Sequence, residues 1–203
     1  MAKIHYNKRP YTIHNIQPMH VREEILHRCR NEIEPKWKSL IRFFLNKYLK
    51  YKWQIKILGE GCQLGKNSLA TGISLGAFSS FGADCQFNGP VVIGDLTMLS
   101  TEVQVIGQDH LPFFPEHPMR IAFPQEPRLV TVIEADCWIG SRVTIMEGIT
   151  IGRGSIIGAA SVVTKSIPPY SIAVGSPARV IRKRFNDEDI KKCDLYLYGK
   201  ELL

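Results

Sequence analysis

The chain has 203 residues, of which 44% are hydrophobic and 22% charged, and a formal net charge of +7. This composition is ordinary for a globular protein, and no apolar run approaches the roughly 18 residues of a membrane span. The start lacks the apolar core of a secretory signal, so we expect a cytoplasmic protein. Thirteen Lys/Arg and four Asp/Glu put +9 in residues 1–56, which leaves −2 for residues 57–203. Because this body carries no basic stripe, we expect no nucleic-acid partner.

Residues 1–56 form a basic N-terminal segment. Apolar residues recur at helical intervals from Met19 to Lys52, on both sides of Pro35, which predicts two helices. The second, within residues 36–53, interleaves aromatic residues with lysines. This pattern is typical of a helix on a membrane surface, which would place the protein at the inner membrane. A repeat fold also needs a terminal cap, and the two interpretations are compatible.

A six-residue period begins at Ile57 and predicts the fold of the body. Eight of the nine residues at the first position of successive units are apolar: Ile57, Gln63, Leu69, Leu75, Phe81, Phe87, Ile93, Leu99 and Val105. A parallel β-helix has this period, because each unit supplies one short strand and one inward side chain that stacks on the next coil. A β-sandwich, the alternative, would alternate with period two and vary in spacing.

The period stops at an extended loop, residues 110–128, and then resumes. The second run of first positions is Ile133, Ile139, Ile145, Ile151, Ile157 and Val163. Small residues after several ladder positions of the two runs are expected at corners, where a bulky side chain or a negative φ would be unfavourable: Gly94, Gly140, Gly152, Gly158 and Ala159. Fifteen units at three per coil predict about five coils. A long loop inside a compact repeat is usually functional.

The end of the chain and the cysteines complete the pattern. Residues 186–203 predict a short C-terminal helix with Asn186 or Asp187 as its N-cap. The five cysteines form no C-x-x-C pair, and we interpret them as reduced and structural.

With the repeat, the loop and the segment SVVTKSIPPYSIAVGSPARVIRKR (161–184), the sequence resembles the hexapeptide-repeat acyltransferases of the left-handed β-helix fold. Its pattern is similar to maltose and galactoside O-acetyltransferases, xenobiotic acetyltransferases and polysaccharide O-acetyltransferases. The resemblance implies an all-β chain, with a left-handed parallel β-helix at 57–185 between an N-terminal helical segment (1–56) and a C-terminal helix (186–203). It also implies acetyl-CoA as co-substrate and a homotrimer whose active sites lie between neighbouring β-helices.

The resemblance places a catalytic histidine where the hexads meet the loop, which is His110 here. An acceptor hydroxyl is a poor nucleophile until a base takes its proton, and imidazole titrates near neutral pH. Ser141 in WIGSR matches a coenzyme-contacting serine and could donate to the developing oxyanion. Asp109 and Asp84 are both candidates to orient the imidazole, and His117 is a weaker candidate for the acceptor site.

The coenzyme residues carried over by the resemblance are Ser141, Ala159, Thr164, Lys165, Arg179 and Arg182. The three cations suit the phosphates of coenzyme A; the alternative is that they are solvated charges near a chain end. Gly82 stands where the galactoside enzymes have an acceptor-site asparagine, so acceptor recognition does not transfer. Asp84 and Asn88 are the nearby polar candidates.

The resemblance thus implies direct transfer of an acetyl group from acetyl-CoA to a hydroxyl of a sugar or glycan, with His110 as general base. An amine of a nucleotide-linked amino sugar or an antibiotic hydroxyl are alternative acceptors, and a succinyl donor stays possible. A zinc enzyme of the γ-carbonic anhydrase type needs three histidine ligands, whereas the repeat body has only His110 and His117, so we expect no metal. A non-catalytic scaffold is the alternative outside enzymology.

Overall fold

The computed structural model describes residues 20–33, 35–107, 110–111, 113, 115–122 and 128–202. Within these ranges, sixteen short strands form three sheets. The chain passes from sheet to sheet, and strands on successive coils pair in parallel, apart from one pair at the C-terminal end. The body is therefore a three-sided prism of stacked coils, as the six-residue period predicts.

The three sheets are defined by their strands. The first sheet contains β1 (Ile57–Leu58), β3 (Ser74–Leu75), β6 (Val91–Ile93), β9 (Thr131–Ile133) and β12 (Thr150–Ile151). The second contains β2 (Gln63–Leu64), β4 (Ser80–Phe81), β7 (Met98–Leu99), β10 (Trp138–Ile139), β13 (Ile156–Ile157), β15 (Ser171–Gly175) and β16 (Ala178–Lys183). The third contains β5 (Gln86–Phe87), β8 (Gln104–Ile106), β11 (Thr144–Met146) and β14 (Val162–Val163). Only β15 and β16, among these strands, pair antiparallel.

Inward side chains stack in ladders along the prism. Phe81, Leu99 and Ile139 pair in register on successive coils, and none is more than 3% exposed. Every predicted ladder position from Leu75 to Val163 is buried. The stacked aliphatic side chains form one continuous core, which excludes water from the interior of the prism.

The predicted phase was wrong by one residue in the first coil. Leu58 pairs with Leu75, and Ala70 rather than Leu69 is fully buried. Ile57 and Leu69 point outward instead and are 61% and 65% exposed. The slip arises because only five residues separate Ala70 from the next ladder position, where the other units have six.

The corners of the prism join the sheets. The first corner leads from the first sheet to the second (residues 94–97), the second corner from the second to the third (100–103), and the third corner from the third to the first (88–90). Gly94 lies at a corner as predicted, but steric crowding is the reason: a Cβ there would lie 2.5 Å from the Ala135 amide nitrogen of the next coil. Positive φ occurs two residues later, at Leu96, so the expectation based on φ was wrong for Gly94.

Two helices cover the first corner. They are α1 (Glu23–Glu32) and α3 (Asp187–Tyr198). Ile25 and Leu26 of α1 pack against Ala135 at the corner, and the Arg22 amide donates to the Leu197 carbonyl of α3 at 2.8 Å. Asp95, 1% exposed, accepts hydrogen bonds from the amides of Val21 and Ala77. The start of α1 is thus tied both to the prism and to α3.

A buried ion pair anchors α3. Arg153 and Asp194 form two hydrogen bonds of 2.9 and 2.7 Å, and their side chains are 7% and 1% exposed. The Tyr170 hydroxyl donates to the same carboxylate at 2.7 Å. Asn186 is the N-cap, since its side chain accepts from the Asp189 amide; this resolves the two predicted capping candidates in favour of Asn186.

The helix α2 (Lys36–Lys52) lies against the first coil. Asn46, 8% exposed, donates to the Cys62 carbonyl, and the Trp53 ring beyond the helix lies 6.1 Å from that of Phe81. Within the described ranges, neither α2 nor any other helix has the length and hydropathy needed to cross a bilayer.

The cysteines are unpaired, as predicted. Cys62, Cys85 and Cys137 are fully buried. Burial raises the pKa of the Cys137 thiol to about 12 and also raises the pKa values of the other two. Since the thiolate is the nucleophilic form, these three are packing residues.

Candidate functional site

The extended loop leaves and rejoins the prism at the third corner, where Arg128 holds its two ends together. The guanidinium donates to the Gly107 carbonyl at 2.9 Å, at the last described residue before the loop. It also donates to Oδ1 of Asn88 at 2.8 Å and to Glu147 at 2.6 Å. These partners lie after β5, β8 and β11, so one side chain joins three successive coils. We call Arg128, Asn88, Gly107 and Glu147 the Arg128 clamp.

The carboxylate of the clamp is almost fully buried. The Glu147 side chain is 2% exposed, whereas that of Arg128 is 37% exposed. Oε1 of Glu147 also accepts from the Leu129 amide at 2.8 Å. A buried carboxylate is stable only when it is paired and hydrogen-bonded, so Glu147 depends on Arg128 for its charge partner. The clamp therefore fixes where the returning end of the loop meets the prism.

His110 lies three residues beyond Gly107, so its backbone is within about 11 Å of the clamp. The residue is half-buried, and its Nδ1 has almost no solvent-exposed surface. The neighbouring Leu111 amide donates to the Ala122 carbonyl at 2.8 Å, after a 3₁₀ turn at Met119–Ile121. This bond closes the described part of the loop on itself beside His110. Asp109, a candidate to orient the imidazole, lies outside the described residues.

Ser141 lies at the second corner, at the opposite edge of the third sheet. Its hydroxyl is 2.7 Å from the Ser100 hydroxyl of the coil before, and Thr101 donates to it at 3.4 Å. One coil later the exposed side chains at this corner are only methyl groups, on Ala159 and Ala160. The second corner is thus hydroxyl-bearing and low in profile, which leaves its backbone accessible.

The outer face of the third sheet connects the two corners. Phe87 and Val105 are buried, and because side chains alternate along a strand, Gln86 and Gln104 point outward. Thr144 continues this polar row on β11. We call this surface the third-sheet face. The two ends of the loop that carries His110 meet along one edge of it, and Ser141 with Ala159 lies along the other.

The remaining predicted coenzyme residues are divided between two places. Thr164 and Lys165 are exposed at the third corner, one coil beyond the clamp. Arg179 and Arg182 are exposed on β16, which belongs to the second sheet. Arg179 pairs with Val174, close to the second corner, whereas Arg182 pairs with Ile172 nearer the first corner. Arg182 is therefore the predicted coenzyme residue most clearly away from the third-sheet face.

The predicted acceptor residues are also separate. Asp84 is exposed at the second corner with a φ of 61°, and His117 is exposed in the loop. The Asn88 side chain is engaged by Arg128, which gives it a structural partner. Among the described residues, no group of three His, Cys, Asp or Glu side chains could hold a metal ion.

Sequence reasoning missed Arg128 and Glu147 as residues of this site. The interruption of the period was the available signal, because it ended near Arg128. Glu147 gave no signal of its own, since an acidic residue at a repeat corner is ordinarily solvated. Only the stacking of one coil on another brings the two side chains together.

Two family models match the chain. The bacterial transferase hexapeptide (six repeats) covers residues 131–165, and the hexapeptide repeat of succinyl-transferase covers residues 56–78. Among curated proteins, the chain is 55% identical over 60 residues to a chloramphenicol acetyltransferase of Agrobacterium fabrum. That match spans 30% of this chain and only 29% of the relative.

Solved structures cover more of the chain. A maltose O-acetyltransferase from Clostridium difficile is 30% identical, with a TM-score of 0.60 over 79% of this chain and 83% of that one. A hexapeptide-repeat acetyltransferase from Vibrio cholerae, solved with acetyl coenzyme A, is 26% identical, with a TM-score of 0.62 over 80% of this chain and 87% of that one. Each of these likenesses thus covers about four fifths of this chain.

Proposed function

The chain belongs to the hexapeptide-repeat acetyltransferases of the left-handed β-helix fold, and from this membership we propose that it moves an acetyl group from acetyl-CoA to a hydroxyl of a sugar or glycan. The observation that carries the proposal is the third-sheet face: the loop that carries the half-buried His110 leaves it at one edge, and a hydroxyl-bearing, low-profile corner forms the other edge. The similarity to a maltose O-acetyltransferase supports a sugar hydroxyl as acceptor.

His110 acts as general base in this proposal. Its imidazole takes the proton of the acceptor hydroxyl while the acceptor oxygen forms a bond to the thioester carbonyl carbon. The carbon–sulfur bond then breaks, and the imidazolium returns the proton to the leaving thiolate. No side chain is acylated, so atoms and charge balance within one ternary complex. A base of this kind contributes roughly 10²- to 10⁴-fold.

The second corner is the proposed place of the coenzyme arm. Exposed methyl groups at Ala159 and Ala160 let a flexible chain lie against the backbone, and the Ser141 hydroxyl can donate to it. Thr164 and Lys165, at the other edge of the third sheet, and Arg179, close to the second corner, are further proposed contacts of the coenzyme, and the two cations suit phosphates. Arg182 lies apart, so its proposed contact is to a coenzyme bound by a neighbouring subunit.

That arrangement accords with a homotrimer, which we propose as the working assembly. The second sheet carries exposed apolar side chains on its outer face, Met98 and Trp138 at 51% and 54%, which pair across β7 and β10. Apolar side chains exposed in this way are typical of a contact surface. Light scattering coupled to gel filtration tests the assembly, with a mass of three chains expected and a single-chain mass contradicting it.

The test of the activity is acetyl transfer by His110→Ala. We expect at least a tenfold loss of turnover with coenzyme binding largely retained, measured by thiol release and by calorimetry. His27→Ala, at an exposed position on α1, is the matched control and should keep full turnover. Unchanged transfer in His110→Ala would contradict the role of this residue and favour a scaffold.

A second acceptor class is favoured by one observation, the 55% identity to a chloramphenicol acetyltransferase over 60 residues. The acceptor would then be an antibiotic hydroxyl. Parallel assays with maltose-type sugars, amino sugars and chloramphenicol, read by mass spectrometry for the gain of one acetyl group, separate the classes. A product only with chloramphenicol would overturn the sugar proposal while leaving the chemistry intact.

A further inference from the structure

The helix α2 presents an apolar face that nothing in the described structure covers. We propose that α2 is an in-plane docking helix that holds this protein on a bilayer containing anionic phospholipids. The proposal deepens the sequence-based expectation of membrane contact by assigning it to one face and one lipid class. It does not depend on the acetyl-transfer chemistry.

The apolar face is continuous. At 100° per residue, six side chains fall within one arc of about 100° with no charged residue between them: Trp37, Leu40, Ile41, Phe44, Tyr48 and Tyr51. All six are exposed, from 58% at Tyr48 to 87% at Tyr51. Trp and Tyr are the side chains that favour the boundary between lipid headgroups and acyl chains.

The prism contacts the opposite side of the helix. Asn46 is 8% exposed and bonded to the Cys62 carbonyl, and it lies about 170° from the centre of the apolar arc. Its neighbours on the wheel, Arg42, Leu49 and Trp53, are half-buried. Capping of the first coil therefore uses one side of α2 and leaves the apolar side pointing outward. Capping of the prism and contact with a membrane thus use two different faces of α2.

The charges select the partner. The helix carries Lys36, Lys38, Arg42, Lys47, Lys50 and Lys52 and no acidic residue. Lys36 and Lys47 border one edge of the apolar arc and Lys52 the other, where their ammonium groups can reach headgroups while the stems lie along the acyl boundary. A second copy of α2 on this face would bring two sets of six positive charges together. An anionic bilayer supplies the complementary charge.

The experiment measures co-sedimentation of the full chain with phosphatidylcholine vesicles and with vesicles of 70% phosphatidylcholine and 30% phosphatidylglycerol. We expect at least tenfold stronger partitioning onto the anionic vesicles. Trp37→Ser/Phe44→Ser should lose at least tenfold of that partitioning. Ile57→Ser/Leu195→Ser removes two apolar side chains of similar exposure, 61% and 54%, and should bind as the wild type does.

A charge series tests the lipid class. Lys36→Gln/Lys47→Gln should weaken binding to the anionic vesicles roughly tenfold or more, because each lysine near such a surface contributes about fivefold. Lys191→Gln/Lys200→Gln, with one lysine within α3 and the other just beyond it, is the matched control and should bind unchanged. Acetyl transfer to a soluble acceptor should be the same in every variant, which separates this proposal from the proposed function.

Three outcomes would overturn the proposal. The first is a wild-type chain that stays in solution with anionic vesicles, and the second is undiminished binding by Trp37→Ser/Phe44→Ser. The third is a lower oligomeric mass of that variant without vesicles, since it would show that the apolar face is an interface between copies.

Discussion

The first and third corners of the prism are built from the same six-residue units, but their buried polar groups hold different parts of the chain. At the first corner, Asp95 and the Arg153–Asp194 pair hold α1 and α3 against the coils. At the third corner, the Arg128 clamp holds a loop that carries His110. Paired buried charges thus secure a helical cover in one place and a reactive side chain in the other. The comparison predicts stability defects from the first corner and activity defects from the third.

Asp194→Ala should give the largest effect on stability. It leaves the Arg153 guanidinium buried without its carboxylate and removes the acceptor of the Tyr170 hydroxyl. Breaking one side of a buried ion pair costs about 3–5 kcal/mol. Urea unfolding measures the loss. Glu201→Ala, which removes the acid of an exposed pair with Lys191, is the matched control and should cost less than about 1 kcal/mol. Equal losses would show that the buried pair is not what secures α3.

The same pair predicts the response to acid. Burial acts to raise the pKa of Asp194, but hydrogen bonds from Arg153 and Tyr170 outweigh it and hold the pKa below its ordinary value. A lowered folded-state pKa gives stability that is fully present above the unfolded value of about 3.9 and is lost as the pH falls through the folded value. We expect the wild type to lose stability below about pH 4 and Asp194→Asn to lose less over that range. Parallel pH profiles of the two proteins would contradict this assignment.

Arg128→Met should lower activity more than stability, which is the reverse of the effect expected for Asp194→Ala. The loop ends lose their clamp, so we expect at least a tenfold loss of turnover. The loss of unfolding free energy should be about 1–3 kcal/mol, since Glu147 keeps its bond from the Leu129 amide. Arg28→Met, at an exposed position of α1, should change neither quantity by much.

A double variant separates the two roles of the clamp. Adding Glu147→Gln to Arg128→Met removes the uncompensated buried charge and should restore part of the stability. Turnover should stay low, because the loop is still untied. Recovery of turnover together with stability would mean that the clamp acts on the fold alone.

The sequence supports the prism better than it supports the site. An apolar residue at every sixth position predicts the inward ladders from Leu75 onward, because each unit repeats one local conformation. In the first coil the predicted ladder positions were wrong by one residue. The five-residue unit after Ala70 shifts the phase, and because Leu69 and Ala70 are both apolar, the sequence did not show which of them points inward. Pairing of Arg128 with Asn88 and Glu147, by contrast, depends on which coil stacks on which. Arg128 is 40 residues from Asn88 and 19 residues from Glu147, and no local periodicity in the sequence indicates that these side chains meet.

The smallest expected effect concerns the start of α3, the helix that closes the first corner. Asn186 accepts the Asp189 amide at 2.8 Å, so Asn186→Ala leaves that amide without its cap and should cost about 1 kcal/mol. Asp187→Ala, which removes only an exposed pair with Lys183, should cost less, and denaturant midpoints of the two variants make the comparison. Because the buried Arg153–Asp194 pair lies beyond the first turn, α3 should stay docked in both variants. If α3 undocks in Asn186→Ala, seen as protease cleavage within α3, the docking of this helix depends on its N-cap rather than on the buried Arg153–Asp194 pair.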